Sequence, residues 1–165
     1  MKTRALTCVL TLCLVTLADT AARAATVTLK NDAWTGSSAS MAVQGGFIAK
    51  EGFASVFIPP ICPFKVTKIQ VYIAPGPGGS PSTKMFTVQI YNDTPGSKTP
   101  GPSLYKEDVN ITSSTTAIGE IDVSAKNITI PSGHIRVALV QHHKGTPSIV
   151  RDNGPRKPKV NLLWG

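Results

Sequence analysis

Apolar and polar residues alternate along four stretches of the chain, and the alternation gives each stretch a core-facing side. In "KVTKIQVYIA", Ile69, Val71 and Ile73 fall on one side, with Lys68, Gln70 and Tyr72 on the other. "KMFTVQIYN" sends Phe86, Val88 and Ile90 inward and Thr87, Gln89 and Tyr91 outward. "GHIRVALVQHH" sets Ile135, Val137 and Leu139 against His134, Arg136 and Val140, while Ile121 and Val123 alternate with Glu120 and Asp122. A period of two marks a half-buried strand. Helical periodicity is almost absent beyond residue 24. Short runs rich in Val, Ile, Thr, Phe and Tyr are separated by Pro, Gly, Ser and Asn. This predicts strands near 26–30, 41–48, 53–58, 65–74, 84–92, 103–110, 117–123, 127–130, 134–143, 148–151 and 159–164. Strands of this length and spacing predict an all-β domain, an antiparallel β-sandwich of jelly-roll or related Greek-key topology. No linker divides it.

The N-terminus follows a different pattern. Lys2 and Arg4 precede an apolar run from Ala5 to Ala18, and Ala22-Arg23-Ala24 supplies the small-x-small pattern of a cleavage site. Residues 1–24 therefore read as an export signal, with 25–165 as a single mature domain. The run is too short for a membrane span. No second long apolar segment follows, so a soluble product in the periplasm, in the cell envelope or outside is expected. Cys8 and Cys13 leave with the signal, and Cys62 remains alone in "PPICPF". An exported domain with one cysteine has no internal disulfide and depends on packing. Cys62 reads as a small apolar filler.

Charge narrows the partners. The full chain carries +8. The signal removes three of its 17 basic and one of its 9 acidic residues, leaving +6. The basic residues are scattered, except for Arg151, Arg156, Lys157 and Lys159 in "VRDNGPRKPKV". This cluster is a candidate contact for an anionic polymer or cell surface. It has no interleaved aromatics to stack on bases, so nucleic acid is not expected as a partner.

Catalytic chemistry finds little purchase. No serine sits in a nucleophile elbow. His142 and His143 are adjacent, so on a regular strand they point to opposite faces and cannot share a metal. Glu107, Asp108, Glu120 and Asp122 lie on strand-like segments, where carboxylates usually form a solvated face. No metal, cofactor or catalytic residue is assigned. Asn92, Asn110 and Asn127 each begin an Asn-x-Thr sequon. The loop in "IYNDTPGSKTPGPSLY" reads as a set of turns: Asn92 and Asp93 can bond backbone ahead of them, and Pro95-Gly96 and Pro100-Gly101 suit tight turns. It has a single carboxylate, too few for a calcium loop, and no helix follows it to make a phosphate loop.

"FTVQIYNDTPGSKTPGPSLY" followed by "IDVSAKNITIPSGHIRVALVQ" resembles a family of secreted bacterial β-sandwich modules with an I-Y-x-D turn, then P-G-x-x-L, then P-S-G-x-x-x-V. "FASVFIPPICPFKVTKIQVYI" fits its upstream part, so the likeness covers about residues 50 to 164. The resemblance implies export from a bacterium, where the sequons are incidental. It implies a fold more than an activity, and no catalytic residue follows from it. Such modules continue past the position of "NLLWG" into another strand, which this chain is expected to lack or to receive otherwise.

One surface attracts a functional reading. If "VTKIQVYIA" and "MFTVQIYND" pair as a hairpin with Tyr72 opposite Thr87, then Gln70 faces Gln89 and Lys68 faces Tyr91. Lys68, Gln70, Tyr72, Gln89 and Tyr91 would form a flat strip of ammonium, amide and phenol groups suited to sugars. The expected function is a non-catalytic exported binding or structural module, with polysaccharide or cell-envelope glycan as ligand. The alternatives are a small secreted hydrolase using a histidine–carboxylate pair and a protein-binding adhesin or inhibitor. At the chain end, Val160, Leu162, Leu163 and Trp164 place apolar residues on both strand faces. Leu162 and Trp164 are expected near the core, beside an open sheet edge that invites self-association.

Overall fold

The computed structural model describes residues 25–31, 41–152 and 161–164. Residues 1–24, expected to be an export signal, and the basic residues Arg156, Lys157 and Lys159 lie outside the described residues. Among the described residues, twelve strands account for nearly all regular structure: β1 (Met41–Val43), β2 (Gly52–Phe57), β3 (Phe64–Lys65), β4 (Lys68–Val71), β5 (Ile73–Ala74), β6 (Thr83–Asp93), β7 (Ser103–Thr112), β8 (Gly119–Asp122), β9 (Thr129–Ile130), β10 (His134–Gln141), β11 (Ser148–Asp152) and β12 (Asn161–Trp164). Among the described residues, no helix is long and apolar enough to cross a membrane.

Five strands form one antiparallel sheet in the order β12-β2-β10-β6-β7. The others form shorter antiparallel ladders, β1-β11-β5, β4-β8 and β3-β9. Residues 64–74 run through three of these ladders in turn. Tyr72 O accepts from Val150 N at 2.9 Å, while the next carbonyl, Ile73 O, accepts from Ser114 N at 2.8 Å. Successive carbonyls of a strand point to opposite edges, so β11 flanks one edge of this stretch and the segment leading to β8 flanks the other. The chain repeatedly leaves the large sheet and returns to it, and β10 sits between β2 and β6 rather than beside a sequence neighbour.

Residues from both sets of strands share one apolar cluster. Ile69, Val71 and Ile73 from β4 and β5 meet Phe86, Val88 and Ile90 from β6 and Ile135 and Leu139 from β10. Each fully buried side chain of this kind contributes about 1.5–3 kcal/mol relative to exposure. Cys62 is a free, half-buried thiol packed at the margin of the cluster. The alternation therefore assigns core faces correctly on all four stretches.

Several expectations need correction. Residues 26–30 form no strand, and the strand expected over 41–48 ends at Val43. A 3-10 turn, Ser124–Lys126, follows β8 and closes on Asn127 in the left-handed region at φ 53°. The proposed hairpin is absent. β4 pairs with β8, setting Lys68 opposite Asp122 and Gln70 opposite Glu120, and β6 pairs with β10 and β7. The Pro/Gly-rich connector 75–82 carries the chain from the smaller ladders into the large sheet instead of reversing it within one.

A stapled loop beside an open sheet face

The outer face of the large sheet follows from register. Tyr91 lies opposite Arg136 on β10 and Ser103 on β7; Gln89 lies opposite Ala138 and Lys106; Thr87 lies opposite Val140 and Asp108. The β2–β10 half of this face is closed, with Ala54 and Ala138 fully buried. The β6–β7 half is open: Gln89 and Tyr91 are half-buried, and Lys106, Asp108 and Asn110 are exposed. The Tyr91 hydroxyl donates to Gln89 Oε1. Burial pushes the Tyr91 phenol pKa up, and the nearby Arg136 charge opposes that shift.

Among the described residues, Arg136 is the largest fully buried side chain, with 1 % of its surface exposed. Its Nε donates to Asp93 Oδ2 at 2.5 Å, and Asp93 is itself 2 % exposed. The rest of the guanidinium donates to the carbonyls of Ser97, at 3.1 Å, Lys98, at 3.3 Å, and Thr99, at 3.4 Å. Asp93 Oδ1 accepts from Gly101 N at 2.8 Å. A buried ion pair is tolerated when its remaining valences are satisfied, and here both partners use theirs on the loop 94–101. Within the loop, Ser97 N donates to Thr94 O at 3.0 Å across Pro95-Gly96, with Gly96 at φ 80°. That is the turn chemistry expected of the pair. At the loop's root, a Cβ on Gly101 would sit 1.9 Å from Asn92 O, and one on Gly133 would sit 2.4 Å from Asp93 O. Arg136, opposite Tyr91 in register, thus ties the loop to the end of β6.

At the other end of β6, the Thr87 hydroxyl donates to Asp108 Oδ1 at 2.6 Å and lies 2.7 Å from His142 Nε2. A hydroxyl has one proton to give, so His142 Nε2 carries hydrogen and donates to Thr87. The ring nitrogen facing the hydroxyl is thus occupied. A hydrolytic base needs that nitrogen free to take the hydroxyl proton, with the carboxylate on the opposite side of the ring. Here Asp108 Oδ1 lies 3.5 Å from the same Nε2. The cluster is a surface hydrogen-bond network. His143 diverges from its neighbour: its ring meets Phe86 edge-on at 5.3 Å, and its Nε2 lies 2.8 Å from Pro147 O. Among the described residues, no group of three His, Cys, Asp or Glu could hold a metal ion.

The remaining candidates sit elsewhere. Lys68 Nζ bonds Glu120 Oε1 at 2.6 Å and Gln70 Nε2 reaches Glu120 Oε2 at 3.3 Å, on the exposed side of β4–β8. Tyr72 lies between β4 and β5 and is half-buried. The five residues of the expected strip are therefore split between two ladders, with Lys68 and Gln70 gathered on Glu120 and Gln89 and Tyr91 paired on β6. Arg151 belongs to β11 and pairs in register with Ala42. The sequence alone does not single out Arg136 and Asp93 as a pair. The available signal was an arginine in the middle of an otherwise apolar strand and an aspartate opening a proline-rich loop. No family model, curated protein or solved structure matches the chain.

Proposed function

We propose that the chain is an exported, non-catalytic β-sandwich that binds polysaccharide or cell-envelope glycan on the β6–β7 part of its large sheet. The observation that carries this reading is the Tyr91–Gln89 pair, half-exposed on an antiparallel surface whose register shifts between Ile90 and Tyr91, and bordered by the loop that Arg136 holds down. A phenol ring offers a sugar an apolar face, and an amide offers directed hydrogen bonds to its hydroxyls. Gln89 spends its oxygen on Tyr91, which leaves its NH2 to donate. Lys106 beside Gln89 adds a donor for acidic sugars. The signal-like N-terminus and the resemblance to secreted bacterial modules support export.

A glycan array and pull-down on insoluble polysaccharides and envelope fractions test the reading. Tyr91→Ala and Gln89→Ala should each lower retention about tenfold or more while unfolding at close to the parent denaturant midpoint. Failure of the parent protein to be retained on any glycan or envelope fraction would remove the ligand.

A further inference from the structure

The geometry points to a second copy of this chain as the partner of strand β7, docked edge to edge about a two-fold axis through Glu107. β7 ends the large sheet, and among the described residues no strand pairs with its far side. It is ten residues long, and most of its residues are exposed. An edge of this length offers a row of backbone donors and acceptors to another strand. Natural edges are blunted by charge, and β7 carries Lys106-Glu107-Asp108 at its centre. The order of those charges decides which partner fits.

Two antiparallel copies of β7 can extend one continuous sheet only in registers that pair residues of the same face. Centring the axis on Lys106 sets Lys106 opposite its own copy, and centring it on Asp108 does the same for Asp108. Both registers oppose like charges. Centring on Glu107 sets Lys106 opposite Asp108 of the second copy, twice, and Tyr105 opposite Val109, twice. Opposite charges and aromatic–β-branched pairs are the favourable cross-strand combinations. The one like-charged meeting, Glu107 with its copy, falls where each carboxylate already accepts from Lys126 Nζ at 2.6 Å and from the Tyr105 hydroxyl at 2.9 Å. The strand is self-complementary in that register. The dimer carries both Tyr91–Gln89 surfaces on the same side of the joined sheet, although the pairing does not depend on what those surfaces bind.

Sedimentation of the mature protein over a concentration series at low salt should show a reversible monomer–dimer equilibrium. Lys106→Glu and Asp108→Lys should each weaken dimerisation roughly tenfold or more, and the double exchange in one chain should restore it. Glu107→Cys places a cysteine opposite its copy, close enough to form an intermolecular disulfide on mild oxidation, and Lys106→Glu should suppress that product. A strictly monomeric protein across the series would overturn the proposal. So would association that ignores the charge exchanges, because that would place the contact elsewhere, such as at the short β12 edge.

Discussion

Two of the molecule's close ion pairs, of similar length, lie in very different surroundings. Arg136 and Asp93 meet at 2.5 Å under the loop 94–101, with 1 % and 2 % of their side chains exposed. Lys68 and Glu120 meet at 2.6 Å on β4–β8, with 52 % and 42 % exposed. Distance therefore says little about what each pair does. Loss of one partner from the buried pair strands a charge without water, whereas an exposed partner is rehydrated at once. The buried pair also holds three carbonyls and one amide of the loop 94–101, so its removal frees a whole segment. The exposed pair holds only Gln70 beside it.

The comparison predicts its largest effect at Arg136. Arg136→Ala leaves Asp93 buried without its cation and three loop carbonyls without donors, which should cost about 3–5 kcal/mol in urea unfolding. Arg136→Lys keeps a charge but cannot serve Asp93 and the loop together, so an intermediate loss is expected. A loss under about 1 kcal/mol for Arg136→Ala would mean the loop is held by its own turns.

A smaller effect belongs at Gly133, whose φ of 82° and close approach to Asp93 O leave no room for a side chain. Gly133→Ala should cost roughly 1–3 kcal/mol, by straining the backbone and pushing Asp93 away from Arg136. Combined with Arg136→Ala, its cost should shrink, because the two act on one unit. Simple additivity would separate the glycine from the staple.

How much of this was legible beforehand varies by residue. Ile69, Val71, Phe86, Val88 and Leu139 were placed inward by alternation alone, because one face of a strand sees the core whatever its neighbour is. Alternation also put Arg136 on the outer face, where register confirms it. Its burial was not legible, since that depends on a loop some forty residues earlier folding across the sheet. Asp93 looked like a local turn-former, yet its carboxylate reaches Gly101 and Arg136 rather than the next two amides. The hairpin expected between the Lys68 and Gln89 strands failed because similar patterning marks similar environments, not adjacency. Thr87, Asp108 and His142 are far apart in sequence and meet only through the register of β6 with its neighbours.

The smallest effect should come from the exposed pair, and pH exposes it better than deletion at neutrality. Hydrogen bonds from Lys68, and secondarily from Gln70, hold the Glu120 carboxyl below its ordinary value of 4.5. A carboxyl depressed by folding adds stability above its unfolded pKa, and that contribution is lost as pH falls through the folded value. Lys68 is shifted upward by the same contact, so its share fades only as pH rises past its ordinary 10.5. Glu120→Gln should thus leave stability near pH 7 almost unchanged and make the decline below pH 4.5 shallower. The decline should persist in part, because Asp122, held low by bonds from Ser124, and Glu107, held low by Lys126, still titrate there. Near 1 M salt, where charges are screened within about 3 Å, parent and variant should converge. Thermal unfolding from pH 3 to 7 at low and high salt measures all of this. If Glu120→Gln at pH 7 matched the loss from Arg136→Ala, the exposed pair would be as structural as the buried one, and the contrast between the two regions would fail.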